Sequence, residues 1–301
     1  MPTAERYEIA PVVLEHSTDQ TLELNQLIGF NVSTNTQKAR TRAGGSVDSL
    51  AWIVGRGKPT VNMTTRDAAT ALTAIPATSG LCIDKATFNV FERDVCNVWT
   101  GAGSSYVSNG GGLIYPDSMA ASVDDSDGAL LTLMYIPFWN GTEDPLLVTP
   151  VADTALVPAP AYNSSFFMGP LYVNGVELKG ITSATLNFGL SVSATTETPG
   201  PYDRLAAVTD RAPTIQITGL KLDEITSLFY GQQTNTALYF QKGAQFGDRV
   251  PYLTAEHIKF TAAVSDIEHT DIGGDAPADA TDQFTLRIVG PPSVSLASTI
   301  P

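Results

Sequence analysis

Apolar and polar residues alternate one by one along five stretches: FNVSTNT (30–36), PTVNMT (59–64), ATLNFGLSV (184–192), PTIQIT (213–218) and QFTLRIV (283–289). A period of two sends successive side chains to opposite faces, so each stretch predicts a strand with one buried face. Val61 and Met63 point one way, Asn62 and Thr64 the other. Helical signals are confined to two places. TTRDAATALTA (64–74) has threonines to cap it, Asp67 in its first turn, an alanine-rich body and Pro76 to stop it. KLDEITSLFYG (221–231) groups Leu222, Ile225, Leu228 and Phe229 on one face, with Gly231 as C-cap. EDPLLVTPVADTALVPAPAYN (143–163) reads as a Pro/Ala-rich linker, and PPSVSLASTIP (291–301) as an extended tail. GAGSSYVSNGGG (101–112) and DIGGDAPADATD (271–282) read as insertions between strands.

Two of these strands share a longer phrase. DSLAWIVGRGKPTVNMT (48–64) aligns with DRLAAVTDRAPTIQIT (203–218). The alignment pairs Asp48 with Asp203, Leu50 with Leu205, Arg56 with Arg211 and, after one dropped residue, Pro59 with Pro213. Upstream, GFNVSTNT (29–36) matches GLSVSATT (189–196), and near each C-terminus GALLTLMYIP (128–137) faces DQFTLRIVGP (282–291). Both candidate helices follow the duplicated strand. The spacing is too long for a solenoid repeat of roughly 20–50 residues and is that of a domain. The expected fold is mainly β: two tandem copies of a β-sandwich or barrel domain, each with one flanking helix. The boundaries are a first domain over 1–145, a linker over 146–164, a second domain over 165–292 and a tail over 293–301. A domain that closes rings of six can be fused pairwise, so that three chains close the same ring through heterologous contacts.

Composition narrows the partners. Lys and Arg number 17 against 31 Asp and Glu, a net charge of −14, which excludes gripping nucleic acid by phosphate neutralisation. The same electrostatics suit a surface that lets DNA slide past. Charged residues are only 16 % of the chain, and Thr, Ser, Ala and Gly fill the gap. MPTAERYEIAPVV lacks the apolar core of a secretory signal, and no run approaches the roughly 18 apolar residues of a membrane span. Synthesis in a reducing cytoplasm, with Cys82 and Cys96 as free thiols, is the expectation.

No catalytic motif is present: no G-x-S-x-G, H-E-x-x-H, P-loop or G-x-G-x-x-G. His16, His257 and His269 show no ligand spacing. VDDSDG (123–128) has Val123 where an EF-hand needs Asp, and reads as a turn. Neither enzymatic activity nor a cofactor or metal is expected.

The sequence resembles the tail tube proteins of tailed bacteriophages. Three features carry this: the strand, long loop, strand and helix order in each half; the phrase LYVNGVELKGITSATLNFGLSVSATTE (171–197); and RAPTIQITGLKLDEITSLF (211–229). The resemblance implies that each domain's inner sheet joins its neighbours' sheets around a lumen through which DNA passes unbound. It implies a structural virion protein of the tail, assembled in the bacterial host cytoplasm, with further copies of itself and other tail proteins as partners. The two-domain chain implies a trimer of pseudo-sixfold symmetry in stacked rings, with Glu23 and Glu177 as candidate acidic lumen residues. The loop NTQKARTRAGGS (35–46), with Lys38, Arg40 and Arg42, would dock on an acidic surface of the next ring. The alternatives are a tail hub or adaptor ring, a double-domain β capsid protein, or a secreted β-domain enzyme or carbohydrate-binding module. A jelly roll needs eight strands per copy, more than the sequence offers.

Overall fold

The computed structural model describes residues 6–9, 12–16, 20–24, 26–33, 36–42, 49–93, 99–124, 128–152, 165–195, 200–220, 232–244, 248–273 and 281–301. The chain is mainly β. In order come β1 (Arg6–Ile9), β2 (Val12–His16), β3 (Gln20–Leu24), β4 (Leu27–Ser33), β5 (Thr36–Arg42), β6 (Ser49–Gly57) and β7 (Thr60–Thr65). A short helix, α1 (Ala68–Ala74), precedes β8 (Leu81–Ile83), β9 (Lys85–Arg93), β10 (Trp99–Ser108), β11 (Gly112–Ser122), β12 (Leu130–Pro137) and β13 (Leu147–Ala152). The second half holds β14 (Phe166–Val173), β15 (Val176–Leu178), β16 (Ile181–Asn187), β17 (Leu190–Thr195), β18 (Leu205–Arg211) and β19 (Thr214–Leu220). It ends with β20 (Gln232–Lys242), β21 (His257–Gly273), β22 (Thr281–Val289) and β23 (Ser293–Ser298).

One large antiparallel sheet runs β15-β14-β20-β21-β22-β19-β16-β11-β12-β7-β4, with β23 on β21 and β8 on β11. A smaller sheet, β13-β10-β9-β2-β3 with β1 on β9, packs on its first-half end. The alternation read from the sequence supplies the contact. Val61 and Met63 of β7 and Leu131, Leu133 and Tyr135 of β12 are buried against Leu14 and Phe88 of the smaller sheet. Phe88 lies between Phe30 and Tyr135, with ring centroids 5.2 and 5.7 Å away. In the second half, Phe260 packs edge-on against Phe188 and Phe240, at 5.7 and 5.8 Å.

The two halves repeat one ladder. β4 pairs with β7 and β5 with β6; β16 pairs with β19 and β17 with β18. Each set is one hairpin ribbon whose register carries across the junction: Ser33 opposite Thr60 leads to Thr36 opposite Gly57, and Asn187 opposite Thr214 leads to Leu190 opposite Arg211. Pro59 and Pro213 sit at the junctions and are buried. Three β-bulges recur at equivalent positions. One falls between Leu27 and Gly29 and again between Ile181 and Ser183. Another falls between Thr36 and Lys38 and again between Ser191 and Val192. The third falls between Pro116 and Ser118 and again between His269 and Asp271. A bulge bends a strand locally, so the halves share their bends as well as their pairing.

Several expectations change. The upstream match is out of place: GFNVS lies in β4, whose ladder equivalent is β16, whereas GLSVS lies beyond the bend in β17. ATLNFGLSV is two strands, broken at Phe188 and Gly189, where Gly189 takes φ +62. The first part of the expected linker is strand β13, paired with β10, and residues 153–164 lie outside the described residues. The expected tail is β23, paired with β21, and Ile300 is buried beside Tyr239. The 101–112 stretch is mostly strand β10. The first helix begins later than expected, with Asp67 at its N-cap position and Thr64 and Thr65 still in β7. The helix expected over 221–231 lies outside the described residues.

Candidate assembly seam

The halves meet where β16 adds to β11. Ser118 stands opposite Asn187, Met119 opposite Leu186, Ala120 opposite Thr185, Ala121 opposite Ala184 and Ser122 opposite Ser183. The bulged residues close both ends of this ladder. Asp117, the extra residue of β11, accepts the Phe188 N–H at 2.9 Å through its carbonyl. Thr182, the extra residue of β16, accepts the Val123 N–H at 2.8 Å and the Ser122 hydroxyl at 3.2 Å. Its own hydroxyl donates to Thr218 O at 3.0 Å.

The core crosses the seam unbroken. Leu131, Met119, Leu186, Ile215, Leu286 and Ile267 stand opposite one another in turn over six strands, and all are buried. The other face of the sheet is polar and largely uncharged. One row runs Thr64, Thr132, Ser118, Asn187, Thr214, Arg287, Asp266. The next runs Ala120, Thr185, Gln216, Thr285, Glu268, where Arg287 and Glu268 form an exposed ion pair.

A second contact lies at the base of the second ribbon. Gly57 N–H donates to Pro201 O at 2.8 Å and Trp139 N–H to Asp203 O at 2.9 Å. The Arg204 guanidinium lies 4.8 Å from the Trp139 ring centroid. A cleft of about 380 Å³ opens between the halves, lined by Lys58, Pro59, Tyr115, Ile136, Val192 and Asp203. Burial, and then the Asp117 carboxylate, raise the Tyr115 phenol above its ordinary pKa.

The residues singled out from the sequence fall in several places. Lys38, Arg40 and Arg42 lie in strand β5, not in a loop, at alternate positions opposite Val54, Trp52 and Ser49. Glu23 and Glu177 are both exposed, but Glu23 is on β3 of the small sheet and Glu177 on β15 at the far end of the large one. Neither lies on the polar rows at the seam. Within the duplicated phrase, Leu50, Arg56, Leu205 and Arg211 lie in the ribbon strands β6 and β18, and the prolines mark the bends. Asp203 is buried at the ribbon base, and Asp48 lies outside the described residues. The bulge residues Asp117 and Thr182 carried no signal in the sequence, because a bulge has no residue signature of its own.

His257 is buried, its Nδ1 accepting the Lys242 N–H at 3.1 Å and its Nε2 lying 3.1 Å from Pro251 O, contacts that fix the ring within the fold. Cys82 is exposed and free on β8, and Cys96 lies outside the described residues. Among the described residues no three His, Cys, Asp or Glu gather as metal ligands, and no helix is long and apolar enough to cross a membrane. Comparison with protein-family models and with curated proteins finds no match to this chain.

Proposed function

We propose that the chain is a structural ring-forming protein of a phage tail tube, built from two tandem copies of one β-sandwich domain and carrying no catalytic site. The observation that supports this reading most is the seam. One repeat adds its ribbon stem, β16, to the neighbouring repeat's β11 in a single continuous sheet. That is a heterologous contact, the kind that closes rings when it is repeated. Three chains then give six repeats around a central hole. The Thr, Ser, Asn and Gln rows line the channel, and DNA passes because the one cation on these rows, Arg287, is paired with Glu268 and the rest are neutral or acidic. This replaces Glu23 and Glu177 as lumen candidates. The basic strand with Lys38, Arg40 and Arg42 reaches the next ring.

Negative-stain electron microscopy of the purified protein, with its solution mass, tests the reading. Trimeric rings with sixfold-like projections and a central hole are expected, stacked as tubes. Replacing Lys38, Arg40 and Arg42 together with Gln should leave single rings. Rings of the parent protein that never stack would shift the role to a hub or adaptor. A strict monomer at all concentrations would refute the ring.

A further inference from the structure

The seam inside the chain has a second, unfilled counterpart. β4 is the ladder equivalent of β16: both carry the same bulge, and Val32 and Asn31 occupy the positions of Leu186 and Thr185. Yet β4 ends the large sheet, and its outer edge has no strand partner among the described residues. β21 is likewise the equivalent of β11. With the shared bulge as the anchor, Asp271, Ile272 and Gly273 occupy the positions of Ser118, Met119 and Ala120. β20 covers β21 only as far as Asp266, so among the described residues the 271–273 segment is paired on one side alone, by β22.

We infer that β4 of one copy pairs antiparallel with the 271–273 segment of β21 in a second copy of this chain, with Val32 opposite Ile272 and Asn31 opposite Gly273. This rests on the ring reading above and names the surfaces that close the ring. Residue chemistry fits the register. The apolar pair Leu186–Met119 becomes the apolar pair Val32–Ile272 at the same ladder position, and Thr185–Ala120 becomes Asn31–Gly273. Leu186 is fully buried, while Val32 is only half-buried and Ile28, at the bulge, is 46 % exposed. An apolar row that stops at an open edge is a hazard for a lone chain and a joint for an assembling one. A slip of one residue would place Val32 on the wrong face, so the register is specified.

Directly opposed residues of an antiparallel pair bring their Cβ atoms to about 4.5–5.5 Å, within reach of a disulfide after small adjustment. Cys82 and Cys96 are first replaced by Ser. Val32→Cys with Ile272→Cys, oxidised after assembly, should link chains into a reducible series that ends at a closed trimer. Asn31→Cys with Gly273→Cys tests the same register from the polar face, without altering the core. The mismatched pair Val32→Cys with Gly273→Cys should link at least about tenfold more slowly, because its side chains lie on opposite faces. If rings form but neither matched pair outruns the mismatched one, this edge pairing is wrong and the ring stands. If no rings form and no links appear, both fall.

Discussion

Gly189 offers a test of the bend that both ribbons share. It takes φ +62, and a Cβ there would sit 2.1 Å from Ala212 O and 2.7 Å from Pro213 N. Ordinary carbon–oxygen contact begins at about 3.3 Å, so Gly189→Ala forces the two backbones apart by more than an ångström. That movement strains the Ala212 N–H bond to Gly189 O, at 2.9 Å, and the Ile288 N–H bond to Pro213 O, at 3.0 Å. Two weakened backbone hydrogen bonds cost about 2 kcal/mol together. The left-handed conformation costs an alanine about 1–2 kcal/mol more. The expected loss is therefore roughly 3–4 kcal/mol, or roughly 5–6 °C in melting temperature for a chain of this size. Gly175→Ala is the control. Gly175 has φ +79 in an Asn-Gly hairpin turn, with nothing within 4 Å of the added Cβ. It should lose only about 1–2 kcal/mol, the conformational part. Denaturant and thermal unfolding of both variants give the comparison. If Gly189→Ala were no worse than Gly175→Ala, the close approach at the bend would be irrelevant and the reasoning wrong.

Leu186→Ala, at the centre of the seam, removes a fully buried side chain and should cost about 3 kcal/mol in denaturant unfolding. Leu205→Ala, at 46 % exposure on the ribbon, should stay within about 0.5 kcal/mol. Tyr135 is fully buried, its hydroxyl donating to Gly111 O at 2.8 Å, and burial pushes its phenol well above the ordinary 10.0. A phenol whose folded pKa is raised stabilises the fold in full below pH 10 and progressively less as pH climbs beyond it. Ultraviolet titration should show one tyrosine that ionises only as the protein unfolds, and Tyr135→Phe should abolish that step. A smooth titration of every tyrosine in the native state would contradict this.

Much of the fold was legible in the strands. PTVNMT and PTIQIT alternate as β7 and β19 do, and the Arg and Pro of the repeated phrase fall at the ribbon bends. The misplaced upstream match has a physical cause. Pairing Gly29 with Gly189 slips the alignment by six positions, an even number, and a strand shifted by an even number keeps its inward and outward sides. Alternation therefore could not expose the error; bulge positions could. TQKARTR was unreadable as a strand because Ala39 is its one apolar residue, so it shows no apolar alternation. LVTPVA was masked by its proline, which is tolerated because β13 is an edge strand. The seam was half legible: the repeat in the sequence pointed to a joint between halves, but which strands meet is decided by the three-dimensional arrangement of edges.

The buried row from Leu131 through Met119 and Leu186 to Ile267 bears on how the molecule comes apart. Heat finds no weak boundary between the halves, because separating them would uncover Met119 and Leu186 at once. The chain should melt in a single cooperative transition, with a calorimetric enthalpy matching the van't Hoff value for all of it. Either half expressed alone would carry a raw apolar edge and depend on its missing partner for solubility. What is written twice in the sequence would then behave, thermodynamically, as one folding unit.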